Sequence, residues 1–307
     1  MEKKRGGITL EYAIQTERLS KSFGGRRVLR DINLQVPKGS IFGFIGPNGA
    51  GKTTTIRLLL GLIKPDAGSS SVLGLDSFQQ SIEIRKRVGY LSEHNQFYPW
   101  MRVEELIKFN AGFFPTWDHG RAEQLLQMFD LHPGARIKEL SKGMRTQLGL
   151  VISLAHNPEL LILDEPTSGL DPVWRRQFLQ IMAREAASRE TTVFFSSHIL
   201  SDVERVADWL AIIVEGRIKT VRPMDDIKYN ERKIRVVFQG EAPESLLGTA
   251  GIKSIERQGS GYLITVEDNF DEIYKALKNT PHFALEVVEQ DLESIFLDYA
   301  GKEDMDA

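Results

Sequence analysis

The sequence predicts an α/β fold in which a buried sheet carries a phosphate-binding loop. The segment Gly46–Thr53 matches the pattern G-x-x-x-x-G-K-[ST]. The continuous apolar run Ile41–Ile45 precedes it, as expected of a central strand that is buried on both faces. A length of 307 residues suits two unequal domains better than one.

The composition is that of an ordinary globular protein, with 41% apolar and 26% charged residues. A net charge of −3 gives no strong attraction to nucleic acid, so we expect no nucleic-acid partner. The absence of cysteine excludes disulfides and thiolate metal sites and suits a reducing cytoplasm. Lys3, Lys4 and Arg5 are not followed by the apolar stretch of a signal peptide. The longest apolar runs fall far below the roughly 18 residues that span a bilayer, so a membrane channel would belong to another polypeptide.

The elements before the loop are predicted to be two short strands, Ala13–Gln15 and Val28–Gln35, around a turn at Gly24-Gly25. After the loop, a helix is expected from about Lys52 to Leu62, with Leu58, Leu59, Leu62 and Ile63 packed on the sheet. Further strands are predicted at Val88–Leu91, Leu160–Leu163, Thr192–Phe195 and Leu210–Ile213, and further helices at Val103–Phe114, Gly120–Phe129, Ser141–Ala155 and Pro172–Ala187. The region of about 94–155 is expected to form a helical arm beside a mixed-sheet core.

A rise in polar character around Met224–Asn230 predicts the end of a first domain, 1–228, and the start of a small second domain, 229–307. The second pattern contains a strand at Ile234–Phe238, a helical turn at Pro243–Leu247, strands at Ile252–Glu256 and Tyr262–Val266, a helix at Phe270–Leu277, a strand at Leu285–Val288 and a last helix at Leu292–Tyr299. This order is close to the β-α-β-β-α-β of a ferredoxin-like α+β domain. A looser extension of the sheet fits the composition equally well.

The chemistry of the loop predicts ATP and Mg²⁺ as ligands. Gly46, Gly49 and Gly51 permit backbone conformations that gather N–H groups around a phosphate, and the following helix directs its positive end to the same point. Lys52 is expected to reach the β- and γ-phosphates, and the Thr53 hydroxyl to bind Mg²⁺. The other loop residues expected at the nucleotide are Asn48, Ala50 and Thr54. A chance match is the alternative, and the flanking strand and helix disfavour it.

Two carboxylates follow the apolar strand Leu160–Leu163, where they would emerge at the edge of the sheet. We expect Asp164 to hold Mg²⁺, directly or through water, and Glu165 to polarise the attacking water as a general base. An Asp-Glu pair after a strand more often marks entry into a helix. In a chain that also carries a phosphate loop, the pair more often belongs to the nucleotide site. Likewise, Leu140–Met144 taken alone is a serine N-cap on an ordinary helix.

The four segments Gly46–Thr53, Leu140–Met144, Leu160–Glu165 and Ser197-His198 together resemble the ATP-binding subunit of ABC transporters, over about residues 13–225. The resemblance implies the P-loop NTPase fold of an ABC cassette, and within it the single-cassette exporter-type (ABC-2-like) subfamily. It further implies that Ser141 and Gly143 of the signature segment contact ATP bound to the other subunit of a dimer. The usual LSGGQ signature is altered at Lys142 and Met144.

Further roles carry over from this resemblance one position at a time. His198 matches the switch histidine that contacts the γ-phosphate, and Asp171 lies in the D-loop at the dimer seam. Phe23 stands where the family stacks an aromatic ring on adenine. Glu93 replaces the Q-loop glutamine and would offer Mg²⁺ a charged oxygen. The segment Phe97–Met101 is expected to face the permease, or to pack the helical arm.

The sequence therefore predicts an ATPase subunit in the cytoplasm, peripheral on the inner face of the cell membrane. Its expected partners are an integral-membrane permease and a second copy of itself or a related ATPase subunit. ATP-driven closure of the dimer would power transport, and the family likeness implies that the direction is export. One alternative is a soluble ABC-type ATPase acting on nucleic acid or ribosomes, which the single signature and the lack of a heptad insertion disfavour. Another is a module that binds ATP without hydrolysis, which Glu165 and His198 argue against.

Overall fold

The computed structural model describes residues 11–189, 191–240, 249–288 and 291–301. The chain divides into two compact units, Met1–Val221 and Arg222–Ala307. The basic segment Lys3–Arg5 and the expected helical turn Pro243–Leu247 lie outside the described residues.

The elements of the first unit alternate between strands and helices. The strands are β1 (Tyr12–Phe23), β2 (Arg26–Pro37), β3 (Ile41–Ile45), β4 (Ala67–Val72), β5 (Leu75–Asp76), β6 (Val88–Leu91), β7 (Leu160–Leu163), β8 (Thr192–Ser197), β9 (Trp209–Val214) and β10 (Arg217–Pro223). The helices are α1 (Lys52–Leu59), α2 (Ser81–Arg87), α3 (Val103–Ala111), α4 (His119–Met128), α5 (Lys142–Leu154), α6 (Pro172–Arg189) and α7 (Leu200–Val206), with a 3-10 turn at Ile137–Glu139.

Two sheets enclose the main core. The larger has six strands in the order β10-β9-β3-β8-β7-β6, and β9, β3, β8, β7 and β6 run parallel. The smaller is the antiparallel sheet β2-β1-β4-β5. Every residue of β3, β7 and β8 is buried, as expected of central parallel strands. The Phe194 ring lies 5.8 Å from that of Phe42 and 5.4 Å from that of Phe44, which packs the centre of the sheet.

Most elements predicted from the sequence are present, but the first helix is shorter than expected. It ends at Leu59 because Gly61 adopts φ +63°, and a Cβ at Gly61 would lie 2.2 Å from the Ser77 carbonyl oxygen. Leu62 is consequently 50% exposed rather than packed on the sheet. Helix α3 also ends early, at Ala111. The sequence analysis missed β4, β5, α2, α7 and β10.

The second unit is a small α+β domain. Its described elements are α8 (Met224–Asn230), β11 (Lys233–Phe238), β12 (Ile252–Gln258), β13 (Gly261–Val266), α9 (Phe270–Asn279), β14 (His282–Val288) and α10 (Leu292–Ala300). The sheet has the order β12-β13-β11-β14, and every neighbouring pair is antiparallel. These elements follow the expected β-α-β-β-α-β order, except that its first helix falls outside the described residues.

The second unit has its own core and its own anchored last helix. Phe270, Ile273 and Leu277 of α9 are buried in one cluster with Ile234 and Val236 of β11. Helix α10 is tied down by the Tyr299 hydroxyl, which donates to Glu231 Oε1 at 2.6 Å, and by an ion pair between Lys233 and Asp298 at 3.2 Å. Among the described helices of both units, none has the length and apolarity required to cross a bilayer.

Candidate active site

The strand register brings the predicted site residues to one edge of the larger sheet. In this register Ile45 pairs with Ser197, Leu163 with Phe195 and Leu91 with Leu163, so that β3, β8, β7 and β6 end together. The residues that follow these ends are Gly46, His198, Asp164 and Glu93. This is the edge at which α/β folds bind ligands.

The phosphate loop is shaped by its glycines. A Cβ at Gly46 would lie 2.3 Å from the Ile213 carbonyl oxygen, and Gly51 adopts φ +110°. Gly49 has φ +80° and faces open space. Helix α1 begins directly after Gly51, and no side chain caps its first N–H groups. The loop therefore presents backbone donors at a helix N-terminus, which fits a phosphate group.

Lys52 is a buried cation at the base of this loop. Its Nζ donates to the carbonyl oxygens of Gly46 at 2.7 Å and Pro47 at 3.3 Å. The same Nζ lies 3.1 Å from Glu165 Oε1, and both side chains are less than one-tenth exposed. The lysine thus joins the phosphate loop to the carboxylate that follows β7.

Glu165 is held between Lys52 and His198. Its Oε2 accepts from the His198 backbone N–H at 3.2 Å and lies 2.7 Å from His198 Nδ1. Among the described residues, its buried Oε1 has no hydrogen-bond partner, although the Lys52 ammonium pairs with it. The carboxylate is therefore held at both oxygens, by the Lys52 ammonium at Oε1 and by His198 at Oε2.

Asp164 is almost fully buried beside the loop, with 2% exposed. Burial raises the pKa of this carboxyl, hydrogen bonds from Ser196 and Thr53 oppose the rise, and the neighbouring charges of Glu165 and Glu93 add to it. The Asp164 carboxylate and the Thr53 hydroxyl are hard oxygen ligands, which suit Mg²⁺. The described residues contain no group of three or more His, Cys, Asp or Glu arranged for a metal. Mg²⁺ commonly takes one or two carboxylates together with substrate phosphates and water.

Comparison with known proteins places this geometry in a family. The family described as "ABC transporter" matches residues 29–168. The ABC transporter ATP-binding protein YtrB of Bacillus subtilis is 30% identical over 290 residues, which cover 94% of this chain and 99% of that protein. The bacitracin transport ATP-binding protein BcrA of Bacillus licheniformis is 39% identical over 222 residues, which cover 72% of each chain. The chain belongs to the ATP-binding proteins of ABC transporters.

Solved structures agree with this assignment. The structure of an ATP-binding subunit of an ABC transporter has 30% identity and a TM-score of 0.65, covering 71% of this chain and 92% of that one. The dimeric structure of a bacterial ABC transporter cassette has 20% identity and a TM-score of 0.63, covering 69% and 98%, and shows the shared fold. The ABC family consists of ATPases, and its transporter subunits dimerise and pair with membrane permease components.

The ABC signature segment, Leu140–Met144, lies at the start of α5. Ser141 is the N-cap of this helix and accepts from the Met144 backbone N–H at 3.1 Å. The D-loop is the segment Ser168–Asp171. A Cβ at Gly143 would lie 3.8 Å from Leu170, so the signature segment borders the D-loop of its own chain. Asp171 caps α6 by accepting from the backbone N–H groups of the second and third residues after it, at 3.0 and 3.1 Å.

Phe23 is an exposed ring, whereas the charge of Glu93 acts on Asp164 in the ABC site. The Phe23 side chain is 48% exposed, and the Lys21 ammonium lies 5.4 Å from its ring centroid. An exposed ring is free to stack on a flat ligand. Glu93 lines a cavity of about 190 Å³ together with Lys142 and Arg145 of α5, so it lies between the site edge and the helical arm.

Two polar residues that contact the site of this ABC subunit, Ser196 and Asp202, were not predicted from the sequence. The buried Ser196 hydroxyl donates to Asp164 Oδ1 at 2.8 Å and accepts from the Glu165 backbone N–H at 2.9 Å. Asp202 of α7 accepts from the Thr167 hydroxyl at 2.7 Å and from Arg175 Nε at 2.6 Å, which ties the segment after Glu165 to the helix after His198. The serine pair Ser196-Ser197, directly after the apolar run Val193–Phe195, was the available signal for Ser196.

Proposed function

We propose that this chain is the ATP-hydrolysing subunit of an exporter, and that two copies close around ATP to drive a separate membrane permease. The observation that carries the proposal is the position of Glu165, between Lys52 and His198 at the mouth of the phosphate loop. These are the groups that would bind the phosphate, activate the water and sense the γ-phosphate.

Each residue of the site has a proposed role in hydrolysis. The loop amides and Lys52 hold the β- and γ-phosphates. Thr53 and Asp164 would hold Mg²⁺, with Glu93 as a further oxygen ligand, and the ion when bound neutralises phosphate charge. Glu165 orients the attacking water and receives its proton. His198 fixes the Glu165 carboxylate through Oε2, and it would contact the γ-phosphate.

The second half of each ATP site is proposed to come from the partner copy. The Ser141 oxygen accepts from Met144 N–H, which leaves the hydroxyl proton free to donate to a phosphate oxygen. Gly143 and the N-terminus of α5 would add backbone donors. Asp171 at the start of α6 would lie at the seam, since the signature and D-loop segments are neighbours in this structure.

Four exposed aromatic side chains on the helical arm support a permease partner. We name Tyr98, Trp100, Phe109 and Phe113 the aromatic patch; their exposed fractions are 47%, 68%, 45% and 59%. Neighbouring rings lie 5.1 to 6.1 Å apart, so the four side chains form one surface. Exposed aromatic clusters of this kind anchor protein interfaces. Docking there would hold the subunit at the inner face of the membrane, and the likeness to a bacitracin transport protein favours export.

Subunit complementation tests the shared site. A Lys52→Ala chain lacks the phosphate lysine, and a Ser141→Arg chain blocks the signature contact, so each variant alone is expected to be inactive. In a mixed dimer, the Lys52 of one chain and the Ser141 of the other form one intact site. We expect ATPase activity to return on mixing. A mixture as inactive as its components would contradict the shared site.

A further inference from the structure

Ser196 carries a buried hydroxyl in the middle of the sheet. It lies on β8 between β3 and β7 and is fully buried, with 0% exposed. A hydroxyl in such a position destabilises the fold unless its hydrogen bonds are made. Strand β8 has the sequence TVFFSS, so Ser196 directly follows the buried rings of Phe194 and Phe195.

Both hydrogen bonds of this hydroxyl go to the residues that follow β7. Its proton is donated to Asp164 Oδ1 at 2.8 Å, and its oxygen accepts from the Glu165 backbone N–H at 2.9 Å. The parallel register explains the contact: Leu163 pairs with Phe195, so the next residue on each strand, Asp164 and Ser196, are neighbours.

The backbone of Glu165 needs such a partner. Its φ of +49° lies in the left-handed region, which a residue with a side chain rarely adopts. A strained conformation of this kind persists when the surroundings fix it at several points. The Ser196 oxygen fixes the Glu165 peptide N–H, and His198 fixes its carboxylate.

We propose that Ser196 is a positioning residue for ATP hydrolysis, whose single hydroxyl orients both the metal-binding carboxylate of Asp164 and the peptide that aims Glu165 at the water. The inference rests on the proposed function of Asp164 and Glu165. Without the hydroxyl, Asp164 is free to rotate and the Glu165 peptide loses the contact that holds its left-handed turn. The loss falls on the two residues that the hydroxyl contacts, Asp164 and Glu165.

The experiment compares Ser196→Ala and Ser196→Thr with the control Ser153→Ala in the full chain. Ser153 is another buried serine, and its hydroxyl donates to the Leu150 carbonyl oxygen inside α5. We expect Ser196→Ala to lower kcat by about 10- to 100-fold, because misplaced catalytic groups lose about that much. Ser196→Thr, which keeps the hydroxyl, should recover most of the kcat.

A second readout does not depend on turnover. Mn²⁺ binding, followed by electron paramagnetic resonance with a non-hydrolysable ATP analogue, should weaken in Ser196→Ala and remain normal in Ser153→Ala. Wild-type kcat and Mn²⁺ binding in Ser196→Ala would overturn the inference, and so would equal losses in the Ala and Thr variants. A Glu165→Gln chain that still hydrolysed ATP would instead overturn the proposed function, so the two failures are distinguishable.

Discussion

Glu165 is the central residue of the site, because a different partner holds each of its two carboxylate oxygens and its peptide N–H. Lys52 pairs with Oε1, His198 binds Oε2 and Ser196 binds the peptide N–H. An amide at this position keeps the shape but cannot accept a proton. We expect Glu165→Gln to lower kcat by about 100-fold or more while ATP binding persists.

The measurement is steady-state phosphate release, together with equilibrium binding of a fluorescent ATP analogue. The control is Glu123→Gln, an exposed carboxylate on α4 outside the site. Undiminished phosphate release in Glu165→Gln would remove Glu165 from its proposed role.

At the residue scale, the sequence predicted the side chains that belong to a motif. Lys52, Asp164, Glu165 and His198 do lie together, because each follows the end of a parallel strand and the strands are in register. Ser196 was not predicted because its contact with Asp164 depends on the pairing of β7 with β8, which a local sequence pattern does not show. The roles proposed for Phe23, Ser141 and Gly143 depend on ligand and partner and stay predictions.

Helix α5 ends near a histidine whose environment makes the fold sensitive to acid. His156 is 1% exposed and stacks on Phe114 at 4.0 Å. Burial lowers its pKa from the ordinary 6.5 to about 4. In the unfolded chain the imidazole takes up a proton near pH 6.5, but in the folded chain it does not. Stability is therefore full above pH 6.5 and is lost as the pH falls toward 4.

Between pH 7.5 and pH 5, we expect His156 to lower the free energy of unfolding by about 2 kcal/mol. His156→Phe keeps a ring against Phe114 and removes the titration, so its urea-unfolding midpoint should change less between these two pH values. An equal pH dependence in the variant and the wild type would show that His156 is not the acid-sensitive group.

A buried ion pair joins two helices, α4 of the helical arm and α6. Arg121 of α4 pairs with Glu185 of α6 and also donates to Asn157 Oδ1 at 2.5 Å. Removing one partner leaves a buried charge less well compensated, so we expect Glu185→Ala to lower the free energy of unfolding by about 3 kcal/mol. Urea denaturation checks this value against Glu123→Ala on the exposed face of α4. Equal free energies of unfolding in Glu185→Ala and Glu123→Ala would show that the Arg121–Glu185 ion pair does not stabilise the fold.

Elements with strong periodicity were predictable, and their ends were not. Strands β3, β6 and β7 coincide with short apolar runs, whose burial on both faces gives a clear signal. Strand β4 has the sequence AGSSSV, which carries no alternating apolar pattern, and its pairing with β1 forms it instead. The end of α1 is set by the approach of Gly61 to Ser77, a tertiary contact that no local pattern contains.

At the scale of the whole molecule, the aromatic patch predicts where a permease docks. Trp100 is its most exposed member, at 68%. We expect Trp100→Ala to reduce copurification with the permease by about tenfold, in line with the loss of a central aromatic anchor, without lowering the ATPase activity of the isolated subunit. The matched control is Phe78→Ala, an aromatic side chain that is 44% exposed outside the patch. Equal capture of both variants by the permease would exclude the patch.

The order of the two units was predictable because each has its own hydrophobic pattern, whereas the division after Val221 was not. The segment Met224–Asn230, where we expected the first domain to end, forms helix α8 and lies in the second unit. Its polar sequence resembles a linker, but Met224 and Ile227 are buried. A boundary is a property of long-range packing, and a local rise in polar residues locates it only approximately.

The most direct test of the shared site is the structure of the Glu165→Gln chain with Mg²⁺ and ATP. The predicted result is a dimer in which the γ-phosphate held at Lys52 of one copy accepts a hydrogen bond from the partner subunit's Ser141. ATP enclosed by a single chain, with the start of α5 of every neighbouring copy remote from the phosphate, would contradict it.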